Sequence, residues 1–125
     1  MSVPEHLLYT KEHEWVELKE DYAIIGITDY AQGQLGDVIF VEFPETGSDV
    51  DCGTPFGEVE AVKTVSDLFA PLSGKVLSIN EAIENAPDLV NSDPYNKGWL
   101  IKISPSKYEE KKDLMSANEY KNFIS

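Results

Sequence analysis

Short segments of alternating apolar and polar residues fill the first two-thirds of the chain. They are rich in β-branched and aromatic side chains and are separated by turn residues, a pattern typical of short strands. Many short strands at close spacing favour a sandwich or a flattened barrel over a parallel α/β sheet. The predicted strands cover residues 15–18, 22–27, 38–43, 55–62, 65–70, 75–79 and 99–103.

Helix signals occur within this region and in the tail. Thr28 is suited to the N-cap of a short helix over residues 29–35, and Gly36 to the position that ends it. The tail has two segments with capping-box spacing, Ser106-x-x-Glu109 and Ser116-x-x-Glu119. We therefore predict two short C-terminal helices within an extension of residues 106–124, folded back on the sheet.

The composition fits one folded domain that spans residues 1–125. Hydrophobic residues make up 42% of the chain, which is enough for a packed core. Ten basic residues, all of them lysine, stand against 23 acidic ones, so the formal net charge at pH 7 is −13. Such a surface repels phosphate backbones and anionic lipids, so we expect neither nucleic-acid nor membrane binding. Basic partner surfaces match it better.

Ordinary catalytic and metal-binding motifs are absent from the sequence. The single cysteine, Cys52, excludes an intrachain disulfide and fits a reducing compartment, and we interpret it as a small buried residue. The two histidines, His6 and His13, are too few for a zinc site with Cys52, and we expect His13 to be structural. The N-terminal residues resemble neither a signal peptide nor a transit segment, so we expect a bacterial cytoplasmic chain, with a processed mitochondrial chain as the alternative.

The most informative segment is a predicted hairpin over residues 56–70 that folds back at Lys63. The β-branched neighbours Val62 and Thr64 stiffen its flanks, which would hold one long side chain at the tip in water. A Schiff-base lysine needs desolvation or cationic neighbours, whereas acidic residues surround this one in the sequence. We therefore expect Lys63 to be an exposed lysine that is presented for enzymatic modification.

Residues along nearly the whole chain together resemble a known family, the H protein of the glycine cleavage system. They include Tyr9, His13-Glu14-Trp15, residues 26–32, residues 35–38, Phe40-Val41-Glu42, Glu60, Val62-Lys63, Ser66-Asp67, Pro71, residues 73–76, Pro87, residues 89–91, Pro94-Tyr95, Gly98-Trp99, Tyr120 and residues 123–124. This resemblance implies a mainly β barrel-sandwich hybrid of two small antiparallel sheets with short helices. It also implies that Lys63 carries covalent lipoic acid and that the chain itself is no enzyme.

The family's partners are implied in the same way. A pyridoxal-phosphate glycine decarboxylase loads an aminomethyl group on the lipoyl arm, and a tetrahydrofolate-dependent aminomethyltransferase removes it. A flavin (FAD) dihydrolipoyl dehydrogenase reoxidises the dithiol, and a lipoate-attaching enzyme modifies the lysine. We expect a monomer, since the tip must enter several active sites in turn. We also expect the loaded arm to fold on a groove, with Glu14 or Asp67 near its ammonium.

Alternatives within carrier chemistry remain open at this stage. Biotinyl domains usually have Met on both sides of the lysine, where this chain has Val62 and Thr64, and the Asp-Lys-Ala of 2-oxoacid dehydrogenase lipoyl domains is also absent. A lipoyl-relay protein, which hands lipoate to other enzymes, would have the same residues. For a small enzyme acting alone, the sequence offers no set of residues typical of a catalytic site.

Overall fold

The computed structural model describes residues 2–125, and its strands form two antiparallel sheets. The strands are β1 Leu8–Tyr9, β2 Glu14–Leu18, β3 Ala23–Ile27, β4 Val38–Glu42, β5 Asp49–Val50, β6 Pro55–Ala61, β7 Val65–Phe69, β8 Gly74–Ile79 and β9 Ile101–Pro105. Every predicted strand is found, with its ends within two residues of the prediction. The mainly β class with two antiparallel sheets is confirmed, and the described strands do not join into a closed barrel.

The larger sheet has the strand order β1-β2-β3-β9-β8-β5, and the smaller one has the order β4-β6-β7. Strands β6 and β7 form a hairpin, with Lys63 in the turn that connects them. The main apolar core joins the two sheets, since it contains Ile25 and Ile103 of the larger sheet and Val59 and Leu68 of the smaller one. Burial of these side chains is the dominant favourable term for this packing.

A second apolar cluster attaches the C-terminal helix α4, Ala117–Ile124, to the first strands. Tyr120 of α4 is fully buried and stacks on Tyr9 with ring centroids 4.6 Å apart. Trp15 belongs to the same cluster, and its indole N–H donates to the Pro94 carbonyl at 3.0 Å. The tail therefore folds back on the larger sheet, as the sequence predicted.

Local capping signals predicted two helix starts correctly. The hydroxyl of Thr28 accepts from the N–H of Ala31 at 3.1 Å and begins helix α1, Asp29–Leu35. At the start of α4, Ser116 and Glu119 form the reciprocal capping box that their spacing predicted.

The other predicted capping box, at Ser106 and Glu109, is wrong. Residues Tyr108–Asp113 form a 3₁₀ helix that follows Lys107 and has no side-chain cap. Glu110 instead accepts from the N–H of Ser73 at 2.7 Å and from its hydroxyl at 2.9 Å. This long-range contact attaches the segment to the sheet in place of a local cap.

Two short helices lie where none was predicted, α2 Ala82–Asn85 and α3 Leu89–Ser92. Each has four residues, too few for an apolar periodicity to be recognised in the sequence. Cys52 is exposed in the turn before β6, so the expectation that it is buried is also wrong. Every helix among the described residues is too short or too polar to cross a bilayer.

Gly36, which ends α1, provides a test of the local backbone. Its φ of 80° and ψ of −157° lie in a region that essentially only glycine occupies. We expect Gly36→Ala to lower the free energy of unfolding by roughly 1–3 kcal/mol. Gly33→Ala is the matched control, because Gly33 lies within α1 with no atom within 4 Å of its missing Cβ.

In Gly33→Ala the added methyl group should instead raise the free energy of unfolding by up to about 1 kcal/mol, because alanine is the better helix former. Urea unfolding of both variants measures the two effects. A Gly36→Ala protein as stable as the wild type would contradict the assigned backbone conformation.

Candidate functional site

The turn at the tip of the β6–β7 hairpin presents Lys63. The N–H of Ala61 donates to the Thr64 carbonyl at 2.8 Å and closes the turn. Val62, Lys63 and Thr64 are all exposed, and no carboxylate of the described residues lies within 4.0 Å of the Lys63 ammonium. The amine is thus accessible to a modifying enzyme, as the expected role requires.

This turn is also supported from outside the hairpin. The N–H of Val62 donates to the Asp37 carbonyl at 3.0 Å, which joins the tip to the segment after α1. That segment is fixed in turn by Asn91 of α3, whose Oδ1 accepts from the N–H of Val38 at 2.9 Å and whose amide group donates to the Gly36 carbonyl at 2.8 Å. No local pattern in the sequence links Asn91 to the lysine, so its part in the site was not predicted.

The Lys63 side chain packs against Gly36. A Cβ built on Gly36 would lie 3.2 Å from Cε of Lys63, so the lysine stem occupies the space that the glycine leaves open. Gly36 follows Leu35, which lines a cleft beside the hairpin. The lysine stem is thus separated from the lining of this cleft by Gly36, the residue bonded to Leu35.

The cleft has a volume of about 230 Å³ and lies between α1, the hairpin and the start of β2. Its lining is Glu12, His13, Glu14, Ile27, Tyr30, Ala31, Gln34, Leu35, Val59, Ser66, Asp67 and Leu68. Aliphatic side chains thus stand beside polar ones in one depression. Such a mixture suits an apolar chain that ends in a polar or charged group.

Glu14 is the buried acid of the cleft, with 2% of its surface exposed. Its Oε1 accepts from the Thr10 hydroxyl at 2.6 Å, and its Oε2 accepts from the N–H of Phe69 in β7 at 3.3 Å. Burial disfavours the charged form and raises the pKa of Glu14 from about 4.5 to about 7, although these hydrogen bonds oppose the shift. Glu14 therefore sits near the midpoint of its titration at neutral pH.

Asp67, the second acid expected near the arm, lines the same cleft in a different setting. It is exposed on β7, directly opposite Glu58 of β6. The structure thus brings both candidate acids to one depression that borders the hairpin. Glu14 lies within the fold, and Asp67 lies at the solvent-exposed side.

His13 connects this cleft with the C-terminal helix. It has a positive φ of 69°, and its Nδ1 is hydrogen-bonded at 2.8 Å to the hydroxyl of Tyr120, which is also 2.8 Å from the Thr28 hydroxyl. Burial lowers the pKa of His13, which favours the neutral imidazole. The expectation of a structural role fits these contacts, whereas the partner, Tyr120, was not apparent from the sequence.

Glu14 gives a prediction about stability and pH. The folded pKa of about 7 exceeds the ordinary value of 4.5, so the folded chain holds the proton more tightly than the unfolded chain. The contribution of Glu14 to stability is fully present below pH 4.5 and is lost as the pH rises through 7. A shift of this size corresponds to about 3 kcal/mol between pH 4.5 and 8.

We expect Glu14→Gln to remove this dependence, because glutamine does not titrate. The stability difference between variant and wild type should move in favour of the variant as the pH rises. Urea unfolding of both proteins at several pH values measures that difference. Groups that both proteins contain, such as His13, titrate in each of them, so their contributions cancel in the difference. A difference that stays constant from pH 5 to pH 8 would show that Glu14 is not perturbed by burial.

Comparisons with known proteins agree over the whole fold. The family model for the glycine cleavage H-protein matches residues 7–125. A glycine cleavage system H protein from Staphylococcus carnosus is 52% identical over 124 residues, which cover 99% of this chain and 98% of that protein. The H protein from Bacteroides thetaiotaomicron is 50% identical over 125 residues, which cover 100% of this chain and 99% of that protein.

A solved structure gives the same result. The crystal structure of a glycine cleavage system H protein from Mycobacterium marinum matches with a TM-score of 0.88 and 37% identity. The match covers 96% of this chain and 97% of that one. Sequence, fold and coverage agree, and the chain belongs to the glycine cleavage H-protein family.

Proposed function

We propose that this chain is the lipoyl carrier of the glycine cleavage system, with lipoate joined to Nζ of Lys63 through an amide bond. The observation that carries the proposal is the exposed Lys63 at the tip of a hydrogen-bonded hairpin, with its stem against Gly36, whose neighbour Leu35 lines the 230 Å³ cleft. Membership of the H-protein family supports it.

The described residues fit such a group. Lipoylation replaces the lysine charge with an amide, so the extended side chain becomes largely apolar. Leu35, Val59 and Leu68 offer an apolar lining in the cleft beside the hairpin that carries Lys63. The rigid hairpin keeps the attached arm tethered at a high effective concentration for whichever partner has docked.

In this proposal the chain is a carrier and its partners supply catalysis. A pyridoxal-phosphate glycine decarboxylase would load an aminomethyl group on a lipoyl sulfur, and a tetrahydrofolate-dependent aminomethyltransferase would take the one-carbon unit and free ammonia. A flavin-dependent dihydrolipoyl dehydrogenase would restore the disulfide. A lipoate-attaching enzyme would first modify Lys63. A bacterial cytoplasm is the compartment that we propose.

Glu14 gives the cleft a specific role when the arm carries the aminomethyl group, which is positively charged. A buried carboxyl with a pKa of about 7 can be neutral beside an uncharged arm. A cation placed beside it favours the carboxylate, because an opposite charge lowers the pKa of an acid. Asp67 also lines the cleft, but its position opposite Glu58 directs its side chain to the outer face of the sheet, away from the core side that carries Val59. We infer that Glu14 holds the ammonium of the aminomethyl group, that Asp67 adds a weaker attraction from the solvent-exposed rim, and that the cleft limits contact of this group with water.

Lipoylation is tested by intact mass and peptide mapping of the chain after incubation with lipoate, ATP and a lipoate-attaching enzyme. We expect a lipoyl adduct on Lys63 and none on the Lys63→Arg variant. Lys75→Arg is the matched control, since Lys75 is also an exposed lysine but lies in strand β8 and not at a hairpin tip, and this variant should be lipoylated like the wild type. An unmodified Lys63 after this incubation would refute the proposal.

Carrier activity is tested by exchange of labelled bicarbonate into glycine with the decarboxylase. The lipoylated chain should support exchange, whereas Lys63→Arg should not. A lipoylated chain that supports no exchange would instead favour the lipoyl-relay function.

Retention of the load is tested by timing ammonia release from the aminomethyl-loaded protein. Glu14→Gln removes a charge-assisted hydrogen bond worth roughly 1.5–3 kcal/mol, so release should be about tenfold faster or more. Asp67→Asn should have a smaller effect, because Asp67 is exposed and its charge is screened by solvent. An unchanged half-life of the Glu14→Gln protein would count against the role of this acid.

A further inference from the structure

Exposed apolar side chains cluster at the lysine-bearing end of the smaller sheet. Ile39, Phe40, Val62 and Val65 are exposed by 55%, 51%, 72% and 54%. We call these four residues the apolar patch. Val62 is adjacent to Lys63, and Val65 begins β7 just after the turn. A group of exposed apolar side chains commonly marks an interaction site, and here Glu60 lies between Phe40 and Val65 across the strands.

Strand register places most of this patch on one face. Phe40 of β4 lies opposite Glu60 of β6, which lies opposite Val65 of β7. Directly opposed residues of neighbouring strands point to the same side of a sheet. The core side of the same sheet carries the buried Val41 and Val59, so the row from Phe40 to Val65 faces outward.

An irregularity in β4 enlarges the apolar surface. The register shifts between Val38 and Phe40, which leaves Ile39 as an extra residue without a cross-strand partner. Ile39 and Phe40 are both exposed and both line a depression of about 400 Å³ next to α2. Such a depression can receive a side chain of another protein.

Two residues further from the tip, a second row on the same face consists of acids only. Glu42 lies opposite Glu58, which lies opposite Asp67. We call these three residues the acidic row. Like charges placed directly opposite each other destabilise a sheet. The free chain thus maintains an unfavourable arrangement that cationic side chains of a partner would relieve.

From the apolar patch and the acidic row we propose that the outer face of the β4-β6-β7 sheet is a docking surface for an enzyme with an apolar entrance and a rim of lysine or arginine. This inference rests on the proposed function, because it assigns the face to the enzymes that act on the arm of Lys63. An enzyme that admits the hairpin tip must cover the surface next to it. The patch would seat at the entrance, and the acidic row would face the basic rim.

Direct binding tests this face independently of lipoylation. The unmodified chain is titrated calorimetrically with the glycine decarboxylase of the same system. We expect Phe40→Ser to weaken binding at least about tenfold, since an exposed aromatic side chain that the partner would bury is lost. Leu77→Ser is the matched control, because Leu77 is similarly exposed, at 45%, but lies on β8 of the other sheet, and its effect should stay within about twofold.

A charge variant separates docking from folding. Glu58→Gln should weaken binding about two- to fivefold at low salt and less at high salt, because screening reduces the attraction. The same change should raise the melting temperature of the free chain, since it removes repulsion towards Glu42 and Asp67. A merely structural residue would not change binding and stability in these opposite directions.

Several outcomes would overturn the docking surface. One is equal loss of binding in Phe40→Ser and Leu77→Ser, and another is unchanged binding in both Phe40→Ser and a second variant, Val65→Ser. Far-UV circular dichroism checks that each variant folds. Light scattering that shows a dimer through this face would assign it to a second copy instead. If Lys63 is lipoylated while these variants bind normally, the docking surface alone fails, whereas an unmodified Lys63 refutes the carrier function.

Discussion

The hydrogen bond between the N–H of Val62 and the carbonyl of Asp37 is the constraint on which the site depends. A two-stranded hairpin by itself is only marginally stable in water. Here its tip is joined to the segment after α1, and Asn91 fixes that segment through Gly36 and Val38. The lysine therefore projects from a supported turn, while its own side chain stays exposed. Both properties are needed to present one amine to large partners.

Glu14 shows that a fold can retain an ionisable group whose burial costs free energy where the site uses its charge. A carboxyl with 2% exposure is unfavourable when ionised, and its hydrogen bonds to Thr10 and Phe69 offset only part of that penalty. The result is an acid whose charge responds to its neighbour near neutral pH. Groups of this kind are characteristic of functional sites rather than of structural cores.

The two faces of the β6–β7 hairpin have different roles in the function that we propose. The inner side, with Val59 and Leu68, contributes to the core and to the cleft. The outer side combines an apolar end with three opposed acids, an arrangement that weakens the free sheet. A carrier that must dock, unload and leave benefits from such a surface, because charge complementarity speeds association more than it slows release.

The order of residues by itself determines the elements whose signals are local. Alternation predicts the longer strands, Thr28 and Ser116 begin their helices, and β-branched neighbours indicate a stiff turn around Lys63. The resemblance to the H-protein family added the topology and the two acids, neither of which periodicity can specify.

What the order of residues did not reveal depends on contacts between distant positions. Glu14 and Phe69 are 55 positions apart, as are Asn91 and Gly36, and His13 and Tyr120 are 107 apart. The misplaced cap at Ser106 has the same origin, since Glu110 binds Ser73 instead. Burial and hydrogen-bond partners exist only once the sheets have packed. For that reason the pKa of Glu14, the support of the turn and the shape of the cleft belong to the folded chain.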